Sequence, residues 1–161
     1  VREAVFSALD ARGSIAGSRV LDLYAGSGAF GLEAASRGAT AVTLVENNAA
    51  SASIVRLNAQ TVLVSAPHPS PMIVVHAQTV QSFLASPTSE FDVVYLDPPY
   101  ELDDVNLAED LRLLVPHLSV NSLVLVERST RSLEPHWPPS LTFERKKIYG
   151  DTTVFTAALR P

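Results

Sequence analysis

The chain has 161 residues, is 47% hydrophobic and carries a formal charge of −5. That is enough for one packed domain and too apolar for a disordered chain. No apolar run approaches the roughly 20 residues that cross a bilayer, no secretory leader pattern opens the chain, and cysteine is absent, so membrane anchoring, disulfides and thiolate zinc sites are not expected.

The first element is a short amphipathic helix over Val1–Ala11, with Val5, Ala8 and Leu9 at helical spacing. A strand over Arg19–Tyr24 runs into a glycine turn, and a helix over Gly28–Arg37 ends at Gly38. A second strand, Ala41–Glu46, precedes a helix over about Ala49–Gln60 that Asn47 or Asn48 can cap. Val62–Ser70 reads as a loop, because Pro67, Pro69 and Pro71 exclude regular structure. Then come a strand at Met72–His76, a short helix at Thr79–Ala85, a strand at Phe91–Leu96, a helix at about Asp103–Leu114 and a strand at Ser122–Glu127. Leu141–Tyr149 and Thr152–Leu159 form a closing hairpin around Gly150-Asp151. Strands alternating with helices imply a mostly parallel sheet, and the hairpin forces one antiparallel strand. The expected architecture is a single three-layer α/β sandwich.

Charge is unevenly spread. Residues 1–127 carry 6 basic and 14 acidic side chains, and residues 128–161 carry 6 basic and 3 acidic. Net acidity argues mildly against a nucleic-acid partner, whereas the run Arg145-Lys146-Lys147 reads either as a solvated strand or as a phosphate contact. The chain begins in helical pattern without methionine, so a further segment upstream is expected.

Two motifs carry chemistry. Gly26-Ser27-Gly28-Ala29-Phe30-Gly31 matches the dinucleotide pattern G-x-G-x-x-G, with Glu46 where an acid would bond ribose hydroxyls. Asp22, however, stands just ahead of the turn, where a carboxylate repels a pyrophosphate and suits a cationic amine. S-adenosylmethionine, with an ammonium, a sulfonium and a ribose diol but no phosphate, fits Asp22 and Glu46 better than NAD does. The second motif is Asp97-Pro98-Pro99-Tyr100 at the end of a strand. Successive prolines fix φ and remove two donors, which frees their carbonyls for a ligand. Asp97 and the Pro98 carbonyl can accept from an exocyclic NH2, aiming its lone pair, and Tyr100 can stack on the base. The four histidines lack metal-ligand spacing, and Ser27 lies in no G-x-S-x-G elbow. Asp103, Asp104, Glu109 and Asp110 read as helix-start acids and a solvated face.

The stretch D-L-Y-A-G-S-G-A-F-G-L-E-A-A-S-R-G-A at 22–39, the acid at 46, D-P-P-Y at 97–100 and the opening V-R-E-A-V-F-S-A-L resemble the RsmD family. These are class I S-adenosylmethionine-dependent methyltransferases acting on the guanine N2 of one 16S rRNA nucleotide. The resemblance implies a seven-stranded sheet of order 3-2-1-4-5-7-6 with strand 7 antiparallel, in a cytoplasmic, monomeric protein acting on 16S rRNA or the assembling 30S subunit without metal. It implies cofactor contacts at Asp22, Tyr24, Gly26, Ser27, Gly28 and Glu46, with Asn47 beside the adenosine and Ala77-Gln78 near the adenine. Tyr149, in the final hairpin, falls on the substrate side of such folds, although Gly150-Asp151-Thr152 is equally explained by turn chemistry. Arg145, Lys146 and Arg2 are candidate phosphate contacts. Rival readings are a DNA adenine or cytosine amino-methyltransferase, a protein-glutamine methyltransferase, a nicotinamide-dependent oxidoreductase and a non-catalytic binding module.

Overall fold

A computed structural model describes residues 1–66, 68–86 and 90–161. Seven strands form one sheet: β1 (Arg19–Leu23), β2 (Ala41–Val45), β3 (Met72–His76), β4 (Phe91–Leu96), β5 (Leu118–Ser129), β6 (Leu141–Tyr149) and β7 (Thr152–Leu159). Their order is β3-β2-β1-β4-β5-β7-β6, with β1 to β5 parallel and β7 antiparallel to both its neighbours. This is the order expected from the resemblance.

Alternation along the strands sorts the core into two layers. Val20, Val93, Tyr95, Leu123 and Leu125 face helices α1 (Arg2–Ala11), α2 (Ala29–Ser36) and α3 (Ala49–Ser65). Leu21, Leu23, Val94, Leu96, Val124 and Val126 face α4 (Val80–Ala85) and α5 (Asp104–Leu114). Because the central strands are covered on both faces, they read as near-continuous apolar runs, and the acids that interrupt or end them stand out.

Two boundaries depart from the sequence reading. Helix α3 continues to Ser65, with Val62 packed on the core, so 62–65 is helix and not loop. Nothing in Thr61–Ser65 breaks a helix, and the turn to extended backbone falls at Ala66, the residue restricted by the proline after it. Pro67 lies outside the described residues. Strand β5 begins at Leu118, where a 3-10 turn over Val115–His117 delivers the chain opposite Phe91. The ladder then skips from Phe91–Leu118 to Val93–Leu123, a bulge that contains Asn121 at φ 66°. No helix of the described residues is long and apolar enough to cross a membrane.

Candidate active site

The acids of the two motifs converge at the carboxyl ends of β1, β2 and β4, where an open α/β sheet places its ligands. Between β1 and α2 the chain turns sharply through Tyr24, Gly26 and Gly28, all at positive φ. Gly28 also needs its missing side chain, since a Cβ there would stand 3.0 Å from Val55 Cγ1 on α3. The Gly28 N–H donates to the Ala25 carbonyl at 2.8 Å and closes the turn.

Asp22 sits beneath this turn, 3% exposed, and accepts the Gly31 N–H at 2.9 Å. Desolvation is the main force on it; opposed by the Gly31 bond and helped by Asp97 and Glu46, it pushes the Asp22 carboxyl up to about 8. Glu46 uses both oxygens as a bracket. One accepts the Gly26 N–H at 2.7 Å and the other the Asn48 N–H at 2.8 Å, joining the β1 turn to the start of α3. Each oxygen keeps a free lone pair for a ligand hydroxyl. Asn48 in turn caps α3 by accepting from the Ser51 N–H at 2.9 Å.

Asp97 is shared by three adjoining cavities. One of about 670 Å³ lies against Tyr24, Glu46, Asn47, Val80 and Gln81. A second, of about 520 Å³, lies against Asp22, Gly26, Ser27, Phe30 and Arg2. The third, of about 380 Å³, lies against Pro98, Pro99, Tyr100, Glu127 and Thr152. The Asp97 residue is itself exposed at their meeting point, yet enough protein surrounds the carboxyl that desolvation raises its pKa. Pro98 is buried, whereas Tyr100 is 91% exposed, with its ring free to meet a partner.

The wall between the first two cavities is Tyr24, whose hydroxyl donates to Asp110 on α5. Gln81 on α4 donates to the other Asp110 oxygen at 2.8 Å and to the Tyr24 hydroxyl at 3.2 Å. Asp110 is 1% exposed, and desolvation raises its pKa. It therefore belongs to the interior and not to the solvated face expected from the sequence. Its position was legible in principle, since Leu107, Asp110, Leu111 and Leu114 share one helix face. Gln81 and Glu127 were also missed. Glu127 ends the apolar run Leu123–Val126 just as Glu46 and Asp97 end theirs, and that pattern was its signal.

Not every expected residue joins the site. Ala77 and Gln78 follow β3 at the rim, and Thr79, Val80 and Gln81 line the large cavity in their place. Gln78 instead donates to the Ser82 hydroxyl at 3.4 Å. Tyr149 and Arg145 line a separate pocket of about 30 Å³ between α1 and the β6–β7 hairpin, with Arg12, Lys147 and Val154. Lys146 is exposed on β6 and lines none of these cavities.

With this geometry in place, the family described as conserved hypothetical protein 95 matches residues 1–158. Ribosomal RNA small subunit methyltransferase D of Escherichia coli strain K12 is 32% identical over 154 residues, covering 93% of this chain and 72% of that protein. The chain belongs to this family, the RsmD family. As an RsmD-family chain it superposes on the solved structure of yhhF from Escherichia coli with a TM-score of 0.86 at 29% identity, covering 99% of this chain and 86% of that one. The magnesium protoporphyrin IX methyltransferase of Synechocystis, solved with bound S-adenosylmethionine, matches at a TM-score of 0.76 over 99% of this chain and 78% of that one. At 16% identity, that likeness shows the shared fold alone.

Proposed function

We propose that this RsmD-family chain transfers the methyl group of S-adenosylmethionine to the exocyclic N2 of a guanine in 16S rRNA of the small ribosomal subunit. The observation that carries this reading is the position of Asp97-Pro98-Pro99-Tyr100, at the meeting point of the acid-lined cofactor cavities and a third cavity open to a base.

The lining chemistry fits the cofactor. The 670 Å³ cavity is lined by no lysine or arginine, and the 520 Å³ cavity by Arg2 alone, so a pyrophosphate would meet Asp22, Glu46 and Asp97 with little compensation. An ammonium group and a ribose diol instead find the acceptors they need: Asp22 on the amine side and Glu46 on the diol side. Bound there, S-adenosylmethionine supplies an electrophilic methyl group on a sulfonium. For the target, Asp97 and the Pro98 carbonyl accept the two N2–H bonds and turn the nitrogen lone pair toward the methyl donor. Asp97 also offsets the positive charge that grows on nitrogen, and its raised pKa suits it to take up the proton the amine releases. Tyr100 supplies a stacking face for the base. No metal is required by any of these steps. We place the activity in the cytoplasm, in a single monomeric domain, on rRNA within an assembling 30S particle.

The test is product identity. The protein is incubated with small-subunit particles and methyl-labelled cofactor, and the rRNA is digested to nucleosides. Label recovered as N2-methylguanosine supports the reading; label recovered only as methylated adenosine or cytidine, or on DNA offered alongside, contradicts it. Tight binding of NADH in place of S-adenosylhomocysteine would favour the oxidoreductase.

A further inference from the structure

We propose that Glu127 selects guanine as the target base, by accepting the N1–H of the same base edge whose amine Asp97 holds. This rests on the amine-methylating function proposed above.

The β4–β5 register places the two acids together. Leu96 pairs with Val126, so Asp97 and Glu127 are the next residues on neighbouring parallel strands. Alternation also sets them on one face of the sheet. Tyr95 and Leu125 pack toward α1 and α2, whereas Leu96 and Val126 pack the other way, and the residues that follow return to the first side. Both acids line the 520 Å³ cavity and both line the 380 Å³ cavity. Strands about 4.8 Å apart bring such side chains within reach of adjacent atoms on one planar ligand.

Glu127 is half-buried, accepts no hydrogen bond and makes no ion pair among the described residues. Desolvation raises its pKa, as expected of an acceptor waiting for a donor. The Val1 amino group and Arg2 share its cavity, and the Val1 charge lowers the Glu127 pKa against the larger effect of desolvation. Arg128 donates to the Leu102 carbonyl at 3.0 Å and faces Asp104 at 3.5 Å, and Asp151 lies exposed in the hairpin turn.

The chemistry of the bases gives the reason for a second carboxylate. Asp97-Pro98-Pro99-Tyr100 can hold any exocyclic amine, so it cannot by itself separate guanine from adenine or cytosine. Next to its amine guanine carries N1–H, a donor. Adenine carries N1 and cytosine N3 at the matching place, both acceptors. A carboxylate there gains a charge-assisted bond from guanine and meets a lone pair on the other two.

The experiment uses 16S rRNA joined from synthetic pieces and assembled into particles. At the position that the wild-type protein methylates it carries either guanine or 2-aminopurine, which keeps the amine and replaces N1–H by a lone pair. Wild-type protein should favour guanine by at least about 100-fold in kcat/KM, the discrimination expected of a site built around a substrate N–H. In Glu127→Gln the amide can donate to the lone pair, and the preference should fall to within about 10-fold. Glu127→Ala should narrow the ratio in the same direction, which covers the case of a Gln variant that folds poorly. Equal use of both bases by the wild type would overturn the proposal, as would an unchanged ratio in both variants. If wild-type protein labels no guanine at all, the methyltransferase reading itself has failed, and base selection falls with it.

Discussion

At the scale of single residues the site is an economy of carboxylates. Asp22, Asp97, Asp110 and Glu127 are all held above the usual carboxylate range, each chiefly by desolvation. A group with a raised folded pKa favours folding while it is protonated, and that contribution is lost as pH rises through the folded value. For Asp22 the window runs from 3.8 to about 8. Wild-type protein should therefore lose stability as pH rises through this range, with Asp22 contributing a slope of at most about 1.4 kcal/mol per pH unit. Urea unfolding at pH 5, 6, 7 and 8 checks this: Asp22→Asn should flatten the profile, and an unchanged profile would show that Asp22 does not titrate there. Asp110 acts differently, by pinning Tyr24 and Gln81. Removing it in Asp110→Ala leaves two donors short of a partner and should cost about 1–3 kcal/mol in the same unfolding measurement, with weaker cofactor binding because Tyr24 lines both cofactor cavities.

At the scale of elements, the carboxyl ends of β1, β2, β4 and β5 each deliver one acid, and the glycine turn packs α2 against β1 and β2. Gly31 marks how closely α2 approaches: a Cβ there would stand 2.8 Å from Leu44 Cδ2 and 3.0 Å from Val42 Cγ1, both fully buried. Gly31→Ala should destabilise the protein by about 1–3 kcal/mol through overpacking and should also loosen the N–H bond to Asp22. Elements of this kind were legible in the sequence. The glycine turn and the carboxyl-edge acids Asp22, Glu46 and Asp97 follow from apolar runs interrupted by single polar residues, whereas the strand order was implied by the family resemblance. What was not legible depends on partners distant in sequence. The length of α3 was masked by a proline cluster that acts only from Ala66 onward. The early start of β5 depends on pairing with Phe91 across a bulge. The burial of Asp110 depends on Tyr24 and Gln81, which local pattern alone does not bring together. Arg145, read from the basic run, and Tyr149, read from the hairpin, line the pocket against α1, a placement that depends on the packing of α1 on β6.

At the scale of the whole molecule, the proposed function asks a chain of net charge −5 to approach a polyanion, which favours local concentration of its basic residues. Arg12 pairs with Glu144, which Arg160 also contacts, and this ties α1 to β6. Arg145 and Lys147 beside them make no ion pair among the described residues. If this face meets rRNA phosphates, Arg145→Ala combined with Lys147→Ala should lower the slope of log affinity against log salt by about 1.4 to 1.8, measured on rRNA at several salt concentrations. The central claim is that the Asp97 corner performs amine methylation while the acid-lined cavities beside it hold the cofactor. The most direct measurement compares wild type with Asp97→Ala for transfer of labelled methyl to small-subunit particles, with S-adenosylhomocysteine affinity determined on the same preparations. We expect transfer to fall by at least about 100-fold and affinity to change by less than about fivefold. Transfer and affinity falling together, or transfer surviving, would contradict that division of roles.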